Sequence, residues 1–244
     1  MKRIIISTLL IFSASMSGQQ MQPSKTASYS FLFKDSPSQL FTMRQFNQGY
    51  LSSYRLFARG INSVLKKKYI SDMIQLGMHS LFFMPLTHEE GHRSILTVNQ
   101  IGSISQPFFN KHGAAYVNGV TDRSLKDLRD NDLPDYIRLH TGGLESDYML
   151  TRHVETIGSF DLDDFNHYKW EYWSRKAVIV QYLVLGLFEF EAGIKEESNE
   201  LERDIVGLDT YGAVRHLFRP SMEFYRYTLY TDLTAAEKDF VKRM

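Results

Sequence analysis

The stretch Met73-Ile74-Gln75-Leu76-Gly77-Met78-His79-Ser80-Leu81-Phe82-Phe83-Met84-Pro85-Leu86-Thr87-His88-Glu89-Glu90-Gly91-His92 carries the strongest signals in this chain. Residues 73–84 are apolar nearly all round, the pattern of a buried helix. Pro85 lacks an N–H and its ring crowds the preceding turn, so the helix is expected to end or kink there. Thr87 with Glu90 three residues on predicts a capping box and a fresh helix from His88 to about Val98. On that helix His88 and His92, four residues apart, share one face, so both imidazoles reach a common point.

Outward from this stretch, helical periodicity recurs. Leu51, Tyr54, Phe57, Ala58, Ile61, Val64 and Leu65 predict an amphipathic helix over Asn47–Lys68, with Gly60 as a blemish. Lys66-Lys67-Lys68 reads as its solvated C-terminal end, where cations complement the dipole. Gly102–Gly119 is expected to form a loop or short strands. Asp122–Leu139 is helical in composition with a break near Pro134, and Gly142-Gly143 is expected to interrupt the chain before a helix over Leu144–Thr156. Tyr168–Glu191, very apolar from Ala177 to Phe190, is expected as a core helix, since it is too short to span a bilayer. Leu233–Met244 reads as a helix just begun, and truncation at the C-terminus is one interpretation of it. The class expected is mainly α, with α+β as the alternative: one domain over residues 19–244 with few short strands. One of these is expected at Tyr29–Phe33, in a polar arm reaching to about residue 45.

The amino terminus has a basic start, Met1-Lys2-Arg3, an apolar run over Ile4–Phe12 and a small, polar segment to Gly18. This predicts a secretory leader over residues 1–18, with the exported chain starting near Gln19; a buried first helix is the alternative. The chain has no cysteine, which excludes disulfides, thiolate metal ligands and a lipoprotein anchor. Lys+Arg and Asp+Glu balance at 28 each, so no net field draws the protein to nucleic acid or to an anionic membrane; no nucleic-acid partner is expected, and an anionic membrane is not expected as the main partner.

His88-Glu89-Glu90-Gly91-His92 matches H-E-x-x-H, in which two histidines hold zinc and the glutamate is the general base for a water whose pKa the metal lowers. The alternative is a helix with two ordinary surface histidines. Here the sequence resembles the zincin metallopeptidases, and Gly91 before the second histidine is similar to the H-E-x-G-H variant of several zincin families. Arg93-Ser94-Ile95-Leu96-Thr97-Val98 brings neither the glycine nor the third histidine of the metzincin branch. The resemblance is therefore gluzincin-like. It implies a helical zincin-like domain, bound zinc and a glutamate as third ligand on a later helix. Glu145, just past the double glycine, is the candidate, with Glu155 and His140 as rivals. Asp147 is a candidate hydrogen-bond partner for a ligating imidazole.

A second cluster, Asp209-Thr210-Tyr211-Gly212-Ala213-Val214-Arg215-His216, offers Tyr211, Arg215 and His216 as donors to a developing oxyanion. The function expected is that of an exported zinc metallopeptidase acting on a peptide or protein, in the periplasm, at the envelope or secreted. Two alternatives stay open. One is a zinc-stabilised envelope scaffold, needing a fourth protein ligand such as His140 or His153. The other is a membrane-embedded or membrane-associated protease, in which Met73–Met84 and Ala177–Phe190 touch lipid; peripheral membrane contact is one partner interaction left open.

Overall fold

The computed structural model describes residues 28–31, 43–191 and 197–244. The expected leader and much of the polar arm lie outside them, as does the second half of the Tyr29–Phe33 strand. Residues 28–31 form no strand; Ser30 instead pairs its N–H and its carbonyl with the Ser52 hydroxyl, at 3.2 and 2.7 Å. The described chain is mainly helical, with a single two-stranded sheet.

Helix α1 (Met43–Val64) buries Met43, Asn47, Tyr50, Leu51, Tyr54 and Ala58, a stripe at helical spacing. It stops short of the lysine triplet, and Lys68 instead opens α2 (Lys68–Met78). Helix α2 does not end at Pro85. It passes through a π turn (His79–Phe83), in which the N–H of Met84 bonds five residues back to His79, and straight into α3 (Met84–Val98). The widened turn gives the proline ring room against the carbonyl of Leu81 and keeps the rod continuous. Thr87 is consequently mid-helix rather than a cap. Its hydroxyl bonds back to the carbonyls of Phe83 and Met84, both at 3.0 Å, and Glu90 binds Arg93 and Ser105.

Strands β1 (Ile104–Gln106) and β2 (Tyr116–Asn118) pair antiparallel. Thr121 caps α4 (Asp122–Asn131), accepting from the N–H of Ser124, and Asp132 caps α5 (Leu133–Ser159), with Pro134 in its first turn. Helices α6 (Lys169–Leu187), α7 (Asp209–Phe218) and α8 (Ala235–Arg243) complete the order. No described helix is long and apolar enough to cross a membrane. The expectation of α6 as a core helix is not met over its outer side, where Val180, Leu183 and Leu187 are exposed.

Gly142 and Gly143 do not break α5; they let it touch α3. A Cβ on Gly91 would lie 2.3 Å from the carbonyl oxygen of Gly142, and one on Gly142 would lie 2.9 Å from that of Gly91. The two helix backbones are in direct contact, which side chains would forbid. Below this crossing Ile95, Leu96, Val117, Leu125, Leu128 and Leu139 form one core, and Tyr50, Leu51, Tyr54, Leu150 and Val154 form a second between α1 and α5. A third, with Tyr211, Val214, Tyr230, Leu233 and Val241, joins α7 to α8.

Gly142→Ala is expected to destabilise the fold by about 1–3 kcal/mol, because the added methyl meets rigid backbone. That lowers the melting temperature by roughly 2–4 °C per kcal/mol. Gly60→Ala in α1, with nothing within 4 Å of its Cβ position, is expected to gain about 0.5–1 kcal/mol. A thermal melt in which Gly142→Ala matches or exceeds the unmodified protein contradicts the close contact.

Candidate metal centre

The glycine crossing puts the motif against α5. A Cβ on Gly143 would lie 2.3 Å from His88 Nε2, so the first histidine fits only over a glycine. His88 and His92 lie one turn apart on the buried face of α3, with ring centroids 5.1 Å apart. Each ring is fixed by its Nδ1. Asp147 Oδ2 stands 2.8 Å from Nδ1 of His88, and the carbonyl of Leu139 accepts from Nδ1 of His92 at 2.7 Å. Both partners come from α5. Occupying Nδ1 with a proton leaves Nε2 as the free ligating atom of each ring.

Asp209, the first residue of α7, closes the group. Its Oδ2 lies 3.2 Å from His88 Nε2 and 3.5 Å from His92 Nε2. All three residues are buried, and their ligand atoms lie within 4.8 Å of one another. Apart from these two imidazole nitrogens, that oxygen has no hydrogen-bond partner among the described residues. Ligands about 2.05 Å from a tetrahedral ion are about 3.3 Å from each other, and 3.2 and 3.5 Å bracket that separation. A buried carboxylate oxygen without a donor is costly unless a cation satisfies it. His88, His92 and Asp209 thus form a group that could hold a metal ion.

The charges around it are coupled. Burial works against protonating His88 and His92, but Asp147 and Asp209 raise the pKa of the first well above its usual value, and Asp209 raises that of the second. Against burial, the two imidazoles hold Asp209 well below the ordinary carboxylate range. Glu89, half-buried beside them, is pushed up to about 7 by burial, with His92 and His88 pulling the other way. Burial likewise raises Asp204 to about 6. From α6 the Tyr182 ring stacks on His88 at 5.5 Å, and its hydroxyl lies 3.3 Å from His88 Nε2. Burial, then Asp209 and Glu89, keep that hydroxyl protonated.

Behind the first histidine runs a wholly buried network. Arg175 donates to Asp147, to Glu171 and, at 2.7 Å, to the Thr87 hydroxyl. Glu171 Oε2 accepts from Tyr50 at 2.5 Å and lies 2.5 Å from His79 Nε2. Asp147, Glu171, Arg175 and His79 have no solvent exposure, so these polar groups are satisfied by one another inside the protein and not by water.

The remaining expected residues lie elsewhere. Glu145 pairs with Arg138 at the surface, bidentate at 2.6 and 2.7 Å, and is not in the cluster; Asp209 occupies the position expected of it. Glu155 is bound by Lys176, Arg152 and Tyr172. Tyr211 and Arg215 project from the side of α7 opposite Asp209. Tyr211 donates to the carbonyl of Phe190 at 2.9 Å, and Arg215 lies over the Tyr225 ring. His216 shares the face of Asp209 two turns along, where it stacks on His140 at 5.6 Å. Both of these rings are buried, and burial pushes His140 down to about 3 and His216 to about 4, so they are neutral at pH 7. His140 packs on Gly212, whose Cβ would lie 2.2 Å from its Nδ1, and lies outside the trio that could hold a metal ion. His153 is exposed. Sequence reasoning missed Asp209 as a candidate ligand, along with Tyr182, Asp204 and Arg175. The one available signal was an aspartate opening a helix that carries His216 on the same face.

Comparison with protein families, with curated proteins and with solved structures finds no match to this chain.

Metal content after dialysis against zinc is expected to approach one ion per chain and to be lost in Asp209→Asn, while Glu145→Gln retains it. Asp147→Asn is expected to weaken affinity by about 10–100-fold. Affinity is expected to fall with pH, since protons compete for Nε2, and to begin falling above the ordinary imidazole value of 6.5, since the neighbouring carboxylates favour protonation. Loss of the ion from Glu145→Gln with retention in Asp209→Asn contradicts the assignment.

Proposed function

We propose that the protein is an exported zinc-dependent peptidase. The observation that carries this is the convergence of His88 Nε2, His92 Nε2 and Asp209 Oδ2, with Glu89 next to the first histidine. Two imidazoles and one carboxylate are a borderline, nitrogen-rich donor set suited to zinc. Among the described residues the group has three members, which suits a catalytic site with a position left for water or substrate better than the closed, four-ligand site of a scaffold. When bound, the ion would supply Lewis acidity that polarises the scissile carbonyl and acidifies a water.

The chain's own residues do the rest. Glu89 takes the proton from the attacking water and passes it to the leaving amine, and its raised pKa, about 7, suits both transfers. Tyr182, protonated and beside the trio, donates to the oxyanion that develops on the carbonyl. Asp147 and the carbonyl of Leu139 hold the two imidazoles in one tautomer throughout. The basic and apolar start over Met1–Phe12 supports export to the periplasm, the envelope or the medium.

Glu89→Gln is expected to keep the ion and lose hydrolysis by about 10²–10⁴-fold, the range for removing a general base. Tyr182→Phe is expected to lower kcat by about 10²–10³-fold, as for an oxyanion donor, with KM little changed. A quenched-peptide library reads both. Undiminished turnover by Glu89→Gln rules out the mechanism.

A further inference from the structure

We infer that the outer face formed by α2, the π turn and α6 docks on an anionic lipid bilayer. Helix α6 runs beside α2 and the start of α3. Lys169 and Trp170 bind Asp72 at one end, and Tyr182 reaches His88 at the other. Each rod buries one stripe: Ser71, Gln75 and His79 on one, Glu171 and Arg175 on the other. The opposite stripes therefore share the outside, and they are apolar. Met73, 70% exposed, and Leu76 stand on the first, and Val180, 55% exposed, Leu183 and Leu187 on the second. An exposed apolar surface of this extent marks an interaction site.

What stands at its edge selects lipid over a second copy of the chain. Lys66, Lys67 and Lys68 are all exposed and make no salt bridge among the described residues. Lys67 and Lys68 occupy the N-cap and first position of α2, where a cation opposes that helix's dipole. Tyr69 follows, exposed, and Trp170 and Trp173 stand at the same end on α6. Cations and amphipathic rings at one border of an apolar face match headgroups, interface and acyl chains in turn. A protein interface would instead deplete lysine. Since no described helix is long and apolar enough to cross a membrane, the face lies on the bilayer and not through it. The inference does not depend on the metal or on peptidase activity, although Tyr182, on the inner side of α6, ties the metal-binding group to the helix that meets the lipid.

Trp170 and Trp173 are the only tryptophans in the chain, so tryptophan emission, excited where tyrosine does not absorb, reports on this face alone. The full-length chain is titrated with phosphatidylglycerol vesicles and with phosphatidylcholine vesicles, each with plain or brominated acyl chains. Brominated phosphatidylglycerol is expected to quench and plain phosphatidylglycerol to blue-shift the emission, with phosphatidylcholine far weaker. The Lys66→Ala/Lys67→Ala/Lys68→Ala variant is expected to bind on the order of a hundredfold more weakly. Val180→Ser/Leu187→Ser, at exposed positions, is expected to lose quenching while keeping its melting temperature. Three outcomes overturn the inference. They are co-sedimentation with vesicles without quenching, which places contact elsewhere such as the apolar start of the chain; no binding to either lipid; and a blue shift that follows protein concentration without lipid, which assigns the face to a second copy.

Discussion

The contact on which the rest depends is backbone against backbone, where Gly91 of α3 meets Gly142 of α5. Helices normally keep 8–10 Å between their axes because side chains intervene. Here none does, and the consequence is geometric. Leu139, Gly143 and Asp147, spaced along the same face of α5, come within reach of His92 and His88. Short helix α7 then lies across the other side, seated by Gly212 against His140, and delivers Asp209 to the two free Nε2 atoms. Three glycine contacts thus fix three helices around one point.

The second constraint is electrostatic. A group of ionisable side chains with no solvent access is stable only if its charges cancel locally, and removing one partner of such a pair costs about 3–5 kcal/mol. Arg175 satisfies Asp147 and Glu171 together, and Tyr50 and His79 complete the shell of Glu171. The oxygen of Asp147 that Arg175 does not hold faces His88. The network therefore holds Asp147 in place as an acceptor, and Thr87, anchored by the same arginine, ties it to the helix that carries the histidines. Asp209 Oδ2 has no such partner, which sets it apart from the buried carboxylates behind it.

Much of this was legible in the sequence, for identifiable reasons. The helical class follows from the apolar period of α1, a local signal. The pairing of His88 with His92 follows from helical geometry alone. The departures come from tertiary contacts that local pattern does not encode. Gly142-Gly143 carries a turn composition yet sits mid-helix, because close packing against α3 outweighs the intrinsic cost of glycine in a helix. Pro85 carries a stop signal that a π turn absorbs. Glu145 lay near a plausible helix start, but with α5 continuous its side chain points outward to Arg138. Asp209 is far along the chain from the motif, and only the fold makes it a neighbour. The apolar run in α6 gives a hydropathy that does not separate a core helix from one with an apolar outer face.

The measurement that tests the account most directly is an anomalous-scattering map, at the zinc absorption edge, of crystals grown with zinc. The account predicts one strong peak about 2.0–2.2 Å from His88 Nε2, His92 Nε2 and a carboxylate oxygen of Asp209, with Glu145 remote from it. A peak coordinated by Glu145, or a fully loaded protein whose ion lies away from residues 88, 92 and 209, would contradict it.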